Sequence, residues 1–68
     1  MKIVVNERIR ELRKSFHLTQ SDLAKQLNTT QDTVSLWECG KSYPDLENVA
    51  KMCEIFQVTA DYLIGFEM

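Results

Sequence analysis

Residues 19–40 read TQSDLAKQLNTTQDTVSLWECG, and they are the most informative part of the chain about its fold. Its apolar residues recur at helical spacing and predict two short helices that pack against each other. The inward positions are Leu23, Ala24 and Leu27 on the first of these helices and Val34 and Trp37 on the second. Ala24 is small where the second helix must pass closely, so a larger residue there would separate the pair.

Both helices have local signals at their ends. Thr19 can cap the first helix, and Asp22, three residues later, completes a weak form of the capping box. Thr30 can cap the second helix in the same way. Asn28 lies where the first helix must stop, and asparagine is the usual substitute for glycine in a left-handed turn. The sequence therefore predicts two helices joined by a tight turn.

This stretch resembles the helix-turn-helix of the phage repressor and Cro family, which includes the Xre-type bacterial regulators. The resemblance runs from about residue 9 to residue 65 and implies an all-α, lambda-repressor-like domain of five helices, with the helix-turn-helix at helices two and three. It also implies a transcriptional regulator that binds double-stranded DNA. Outside the two helices it rests on IRELR from Ile9, on Thr19 with Gln20, on the spacing of Ser35, Glu38 and Gly40, on Pro44, and on DYLIG, which ends at Gly65.

Three further helices are predicted around this pair. Asn6 is placed to cap the first helix, which continues to about Phe16. A fourth helix spans about residues 45–56, and Thr59 caps a short fifth helix that Gly65 ends. The fourth helix is expected to turn Leu46, Val49, Ala50, Cys53 and Phe56 inward. Residues 1–68 then form one domain, in which residues 1–5 are either a frayed arm or a short extended segment.

Length and composition restrict the class of protein. With 68 residues there is room for one small core, and no apolar run approaches the roughly 18 residues of a membrane span. The opening MKIVV is too short for a signal peptide, which favours a cytoplasmic, nucleoid-associated protein. Cys39, Cys53 and His17 lack metal-site spacing, so no metal or other cofactor is expected. Neither an enzyme nor a small-molecule ligand is indicated.

The chain has more acidic than basic residues, but the basic residues are concentrated in its first part. The formal net charge is −2, which by itself argues against a nucleic-acid partner. However, seven of the eight Lys and Arg residues precede residue 44, against five acids in the same range. This composition is therefore compatible with a domain that presents one basic face to DNA and turns its acidic residues away from it.

The second helix of the pair is the candidate recognition helix, because an α-helix fits the major groove and its first turn is best placed to reach base edges. Gln31 is the strongest candidate, since a glutamine amide can pair with the N6 and N7 edge of adenine. Asp32 can accept from cytosine N4 or can simply favour the helix start. Leu36 can meet a thymine methyl or another protein. The full set of predicted base contacts is Gln31, Asp32, Ser35, Leu36 and Thr30.

Phosphate contacts are expected mainly from outside this helix, because no Lys or Arg lies between Gln26 and Gly40. Gln20 is the first candidate, since it lies at a helix N-terminus, where anions are favoured. The resemblance implies the same role for it. The predicted phosphate contacts are Gln20, Thr33, Lys41, Ser42, Arg10 and Lys14.

The resemblance also implies that Arg13 pairs with Glu38 and thereby fixes the angle of the recognition helix, although two separate solvated charges are the alternative. Trp37 is expected in the core rather than as a stacking platform for bases. Homodimerisation is expected because one domain of this size reads only a few base pairs. The predicted interface is Tyr62, Ile64, Phe66, Met68 and Ile55, with Met52 a further option and a frayed apolar tail the alternative.

Two functions remain open at this point. The first is a sequence-specific DNA-binding regulator, a repressor rather than an activator, that binds a palindromic operator as a dimer. The second is a protein-interaction module of the same fold, such as an antitoxin or regulatory subunit, which the acidic balance and Leu36 favour.

Overall fold

Five helices form the chain in the computed structural model, which describes residues 2–66, and that range contains no strand. The helices are α1 (Val5–Ser15), α2 (Gln20–Leu27), α3 (Gln31–Glu38), α4 (Leu46–Phe56) and α5 (Ala60–Ile64). The all-α prediction of five helices, with the helix-turn-helix at α2 and α3, is confirmed for these residues.

The local signals around the two central helices act as predicted. The Thr19 hydroxyl accepts from the Asp22 N–H at 3.0 Å, and the Asp22 carboxylate accepts from the Thr19 N–H at 2.9 Å, which completes the capping box. Asn28 ends α2 in the left-handed conformation at φ 57°. The Thr30 hydroxyl accepts from the Thr33 N–H and caps α3. These short-range bonds fix where α2 and α3 begin and how the turn between them is closed.

The start of α1 differs from the prediction. Val4 precedes the helix without any side-chain cap, and Asn6 is already inside it, so the assignment of Asn6 as the cap is wrong. Val4 instead donates its backbone N–H to the Ile64 carbonyl at 2.9 Å, and Val5 is buried. The chain therefore enters α1 across the end of α5 rather than as a free arm at these positions.

The core lies where α3 packs against both α2 and α1, with α4 and α5 closing the other side. Its fully buried side chains are Ile9, Leu23, Met52, Leu63 and Val34. Two predictions for α4 are wrong: Leu46 is 84% exposed, and Ala50 is exposed as well. Met52, considered for an interface, has no exposed surface because the inward stripe of α4 consists of Val49, Met52 and Phe56. None of the helices in residues 2–66 is long and apolar enough to cross a membrane.

Candidate nucleic-acid interface

Helix α3 has one buried face and one exposed face. Val34 and Trp37 are 0% and 3% exposed, which fixes the rotation of the helix about its axis. Trp37 is therefore a core residue, as predicted. On the opposite side, Gln31 and Asp32 are exposed in the first turn, and Leu36 is 43% exposed one turn later. A polar first turn and an apolar side chain thus form the outer surface of α3.

Three other predicted contact residues, at the cap and along α3, are partly covered or already hydrogen-bonded. Ser35 is half-buried at the side of the helix. The hydroxyls of Thr30 and Thr33 lie 2.9 Å apart and hydrogen-bond to each other, so both already have a local partner. Their methyl groups and the remaining lone pairs are what these two threonines can offer to a ligand.

A network of four residues joins α3 to α1 and α2. Arg13 donates from Nε to Glu38 Oε2 at 2.6 Å and from Nη2 to Glu38 Oε1 at 3.0 Å. The same guanidinium donates to the Leu18 carbonyl at 2.8 Å, and Gln20 Nε2 donates to Glu38 Oε1 at 3.2 Å. The side chains of Arg13 and Glu38 are only 11% and 5% exposed, so this pair is shielded from solvent.

The position of Glu38 explains why it needs these donors. It is the last residue of α3, where the helix dipole disfavours a negative charge, and α3 has no basic residue in its last turn. The bidentate bond with Arg13 supplies the compensating charge. The hydrogen bonds to Glu38 raise the pKa of the Arg13 guanidinium above its ordinary value, against the opposing effect of burial. Arg13 therefore stays charged at any working pH.

A polar groove of about 360 Å³ lies beside this network. It brings Arg10 and Lys14 of α1, both exposed, next to Gln20 at the start of α2 and Ser35 on α3. Arg13, Glu38 and Cys39 line the rest of it. The first N–H groups of α2 have no partner within the helix, so the groove combines two cations with a helix N-terminus. This arrangement favours an anion.

The loop after α3 folds back under the end of that helix. Gly40 has φ 81°, a left-handed conformation that lets the chain reverse, and the N–H groups of Lys41 and Ser42 donate to the Leu36 carbonyl at 3.0 and 3.4 Å. Lys41 is exposed and Ser42 is half-buried. The loop thus places one cation at the far end of α3 from Gln31.

Asn6 is the residue of this surface that sequence reasoning misassigned. Its side-chain amide donates to the Trp37 carbonyl, and also to the Ser42 carbonyl at 3.3 Å. These partners are 31 and 36 residues away, so no local pattern could show the contact. The only signal in the sequence was an asparagine near a helix start, which capping explains equally well.

A family model described as helix-turn-helix matches residues 9–63, which include the groove and α3 together. The chain belongs to the Xre-type helix-turn-helix family. This is a family of DNA-binding transcription regulators and not a family of enzymes.

The relatives of this helix-turn-helix chain include both a transcriptional activator and a transcriptional repressor. The HTH-type transcriptional activator BcrR of Enterococcus faecalis is 40% identical over 91% of this chain, which spans only 30% of BcrR. The solved fragment of the P22 c2 repressor, in complex with a synthetic operator, is 30% identical with a TM-score of 0.86 over 94% of this chain and 97% of the fragment. This chain spans 28% of the curated P22 repressor. A transcriptional regulator of Listeria innocua is 25% identical with a TM-score of 0.94 over 100% of this chain and 64% of that one. The likeness to the P22 repressor confirms the lambda-repressor-like fold.

The C-terminal end of this helix-turn-helix domain holds the predicted interface residues. Tyr62 and Phe66 are 43% and 46% exposed, while Ile55 and Ile64 are half-buried. Met68 lies outside the described residues. The Arg8 guanidinium lies 4.1 Å from the centroid of the Tyr62 ring and donates to the Tyr62 carbonyl at 2.7 Å, which holds α1 against α5.

Proposed function

We propose that this chain binds double-stranded DNA in a sequence-specific manner and regulates transcription, with α3 in the major groove. The observation that carries the proposal is the exposed first turn of α3, which is held at a fixed angle by the Arg13–Glu38 pair and flanked by the cationic groove. A helix anchored in this way can insert between the two DNA backbones without losing its packing on the core.

In this proposal the exposed face of α3 reads the bases. Gln31 pairs with an adenine edge, and Asp32 accepts from cytosine N4. Leu36 contacts a thymine methyl group, because it is the apolar side chain on the outer surface. Ser35 and Thr30 contribute secondary contacts at the sides of the helix. Since α3 carries no cation, this readout supplies specificity rather than affinity.

Affinity then comes from two sets of phosphate contacts, one in the groove beside the C-terminal half of α3 and one in the loop that follows this helix. Arg10, Lys14 and Gln20 bind one phosphate group through the groove, although Gln20 also has to maintain its bond to Glu38. Lys41 and Ser42 bind a second phosphate group from the loop after α3, and Thr33 adds a contact from the first turn of the helix. The charges are few, so binding is expected to be modest and strongly dependent on salt.

We propose a homodimer on a palindromic operator, because one recognition helix covers only a few base pairs. The two copies meet through Tyr62, Ile64, Phe66 and Ile55, with their α3 helices roughly 34 Å apart to match one turn of B-DNA. Met68 belongs to the same proposed surface. Repression is proposed over activation on the likeness of the fold to the P22 c2 repressor, although this chain spans only 28% of the curated P22 repressor and 30% of BcrR.

Selection of bound sequences from a random duplex pool tests the base-reading role. Gln31→Ala should relax the preference at one position of each half-site and weaken binding to the selected operator by about 1–3 kcal/mol. Gln26→Ala is the matched control, because Gln26 is also an exposed helical glutamine but lies on α2 away from the groove. An unchanged sequence preference in Gln31→Ala would remove this residue from the readout.

Salt titration on a nonspecific duplex tests the phosphate contacts. Lys41→Ala should lower the slope of log affinity against log salt by about 0.9, the value for one phosphate contact. Lys25→Ala, at an exposed position of α2 outside the groove, should leave the slope unchanged. No binding by the wild type even at low salt would exclude the DNA function.

The alternative is a protein-interaction module of the same fold. The observations that favour it are the 43% exposure of Leu36 and the absence of Lys and Arg from α3. A partner that occupied this surface would be displaced by Leu36→Lys, whereas the same change should strengthen nonspecific binding to DNA through the added charge. The direction of the Leu36→Lys effect therefore separates the two functions.

A further inference from the structure

The end of α3 is attached to α1 at two separate points. One is the Arg13–Glu38 pair at the side of the helix, near the C-terminal end of α1. The other is Asn6, at the N-terminal end of α1, whose amide donates to the backbone carbonyls of Trp37 and Ser42. A helix of 8 residues is only about 12 Å long, so two attachments at its end are sufficient to fix its direction.

The Asn6 bonds add a donor from α1 to a carbonyl at the end of α3 and to a carbonyl of the loop that follows it. The backbone itself closes this end of α3: Gly40 follows the cap in the left-handed conformation, and its N–H donates to the Trp37 carbonyl at 3.2 Å. A carbonyl oxygen has two lone pairs, so the same carbonyl can also accept from Asn6. The Asn6 amide points its positive end at the negative end of the helix dipole. Its second acceptor, the Ser42 carbonyl, belongs to the loop that carries Lys41.

We propose that Asn6 is a positioning residue for DNA recognition. Its single side chain joins α1 to both the end of α3 and the following loop. Together with the backbone bonds from the loop to the Leu36 carbonyl, it aligns the base-reading face of α3 with the phosphate contact of Lys41. This inference rests on the proposed DNA function. It goes further in assigning specificity to a residue that does not itself touch DNA and lies 25 positions before Gln31 in the sequence.

Asn6→Ala is the primary variant, and Asn48→Ala is the matched control. Asn48 is also a half-buried helical asparagine, but it lies in α4, and its side chain makes no hydrogen bond to the other described residues. Both variants are compared with wild type at a temperature where urea unfolding shows each to be at least about 95% folded. If Asn6→Ala is too unstable, Asn6→Ser, which retains a hydroxyl but is too short to span both acceptors, replaces it.

The first measurement is binding to the selected operator and to a random duplex. If Asn6 positions α3, the ratio of specific to nonspecific affinity should fall about tenfold in Asn6→Ala and stay unchanged in Asn48→Ala. The salt slope on the operator should fall by about 0.9, because the Lys41 phosphate contact is lost. A merely structural role would lower both affinities equally and leave their ratio and the salt slope unchanged, which would overturn the proposal.

The second measurement, amide hydrogen exchange, does not use DNA. Loss of the Asn6 bonds should speed exchange at Lys41 and Ser42, whose N–H groups bond to the Leu36 carbonyl, by about tenfold, while Leu23 and Ala24 of α2 keep their wild-type rates. Uniform acceleration would show general destabilisation and would overturn the positioning role. If wild type fails to bind any DNA yet the local acceleration is seen, the proposed function fails while the attachment of the loop by Asn6 stands.

Discussion

Removal of the Glu38 carboxylate is the most informative perturbation of this molecule. Glu38→Ala deletes three hydrogen bonds at 2.6, 3.0 and 3.2 Å and leaves Arg13 with the Leu18 carbonyl as its remaining acceptor. Because the Arg13 side chain is only 11% exposed, solvent replaces little of what is lost. We expect the free energy of unfolding to fall by about 2–4 kcal/mol, the range for breaking a shielded pair.

This loss is large relative to the stability of so small a domain. For 68 residues the total free energy of unfolding is about 3–10 kcal/mol, so Glu38→Ala should lower Tm by roughly 10–30 °C. Arg13→Ala should be at least as damaging, because it leaves a carboxylate that is 5% exposed at the unfavourable end of the α3 dipole. The double variant should lose less than the sum of the two, with a coupling of about 1–3 kcal/mol.

Urea unfolding at fixed temperature and DNA titration of the folded fraction are the two assays. Glu47→Ala is the control, because the Lys51–Glu47 pair on α4 spans 3.3 Å with side chains 44% and 77% exposed and should contribute at most about 0.5 kcal/mol. Operator affinity should fall in Glu38→Ala but not in Glu47→Ala. The reasoning would be refuted if the stability losses of the Arg13 and Glu38 variants added up to that of the double variant within about 0.5 kcal/mol. It would also be refuted if Glu38→Ala changed neither the melting temperature nor the operator affinity.

Three further predictions concern other parts of the fold. Hydrogen bonds from the backbone and hydroxyl of Thr19 hold the pKa of the Asp22 carboxyl below its ordinary value of 3.8. The stability that the ionised Asp22 carboxyl contributes is therefore present above pH 3.8 and is lost as the pH falls through the lower folded pKa. Asp22→Asn should therefore flatten the decline of Tm between pH 5 and 2. A decline as steep as that of the wild type would contradict this assignment. Burial raises the pKa of the Cys53 thiol above its ordinary value of 9.0, so iodoacetamide at pH 8 should modify exposed Cys39 faster than Cys53. The two thiols should react at equal rates only when the protein is unfolded in urea. Gly65→Ala should cost about 2–3 kcal/mol in urea unfolding, because φ is +99° and the new Cβ would meet Val4 and lie 3.2 Å from the Lys2 carbonyl. Gly40 also has a positive φ, of +81°, but a Cβ there would meet no neighbouring atom, so Gly40→Ala should lower the free energy of unfolding by only about 1 kcal/mol. Equal losses of stability in the two variants would show that the contact of the new Cβ at residue 65 with residues 2–4 has no effect.

Local patterns were sufficient wherever the interaction itself is local. Thr19, Thr30 and Thr59 cap their helices through residues three positions later, and Asn28 turns the chain with its own backbone. Such contacts are encoded within four residues, so spacing and residue type reveal them. The inward positions of α2 and α3 followed in the same way from helical periodicity.

Periodicity was not sufficient on α4. Leu46 and Ala50 fit an apolar stripe in the sequence, but both are exposed, while Met52 is fully buried. The stripe of a helix has a centre that depends on which neighbours cover it, and α4 contacts α2 and α5 along the line of Val49, Met52 and Phe56. A pattern on one helix cannot give the position of the others.

The number and kind of elements in the described residues and the turn between α2 and α3 follow from the sequence alone, because they depend on contacts between near neighbours. The way in which α3 is held depends on tertiary packing. The cationic groove requires α1 to lie beside α2 and α3, and the bonds from Asn6 to Trp37 and Ser42 span more than 30 residues. Long-range contacts of this kind form only after packing has brought the helices together, so the spacing of residues along the chain does not predict them.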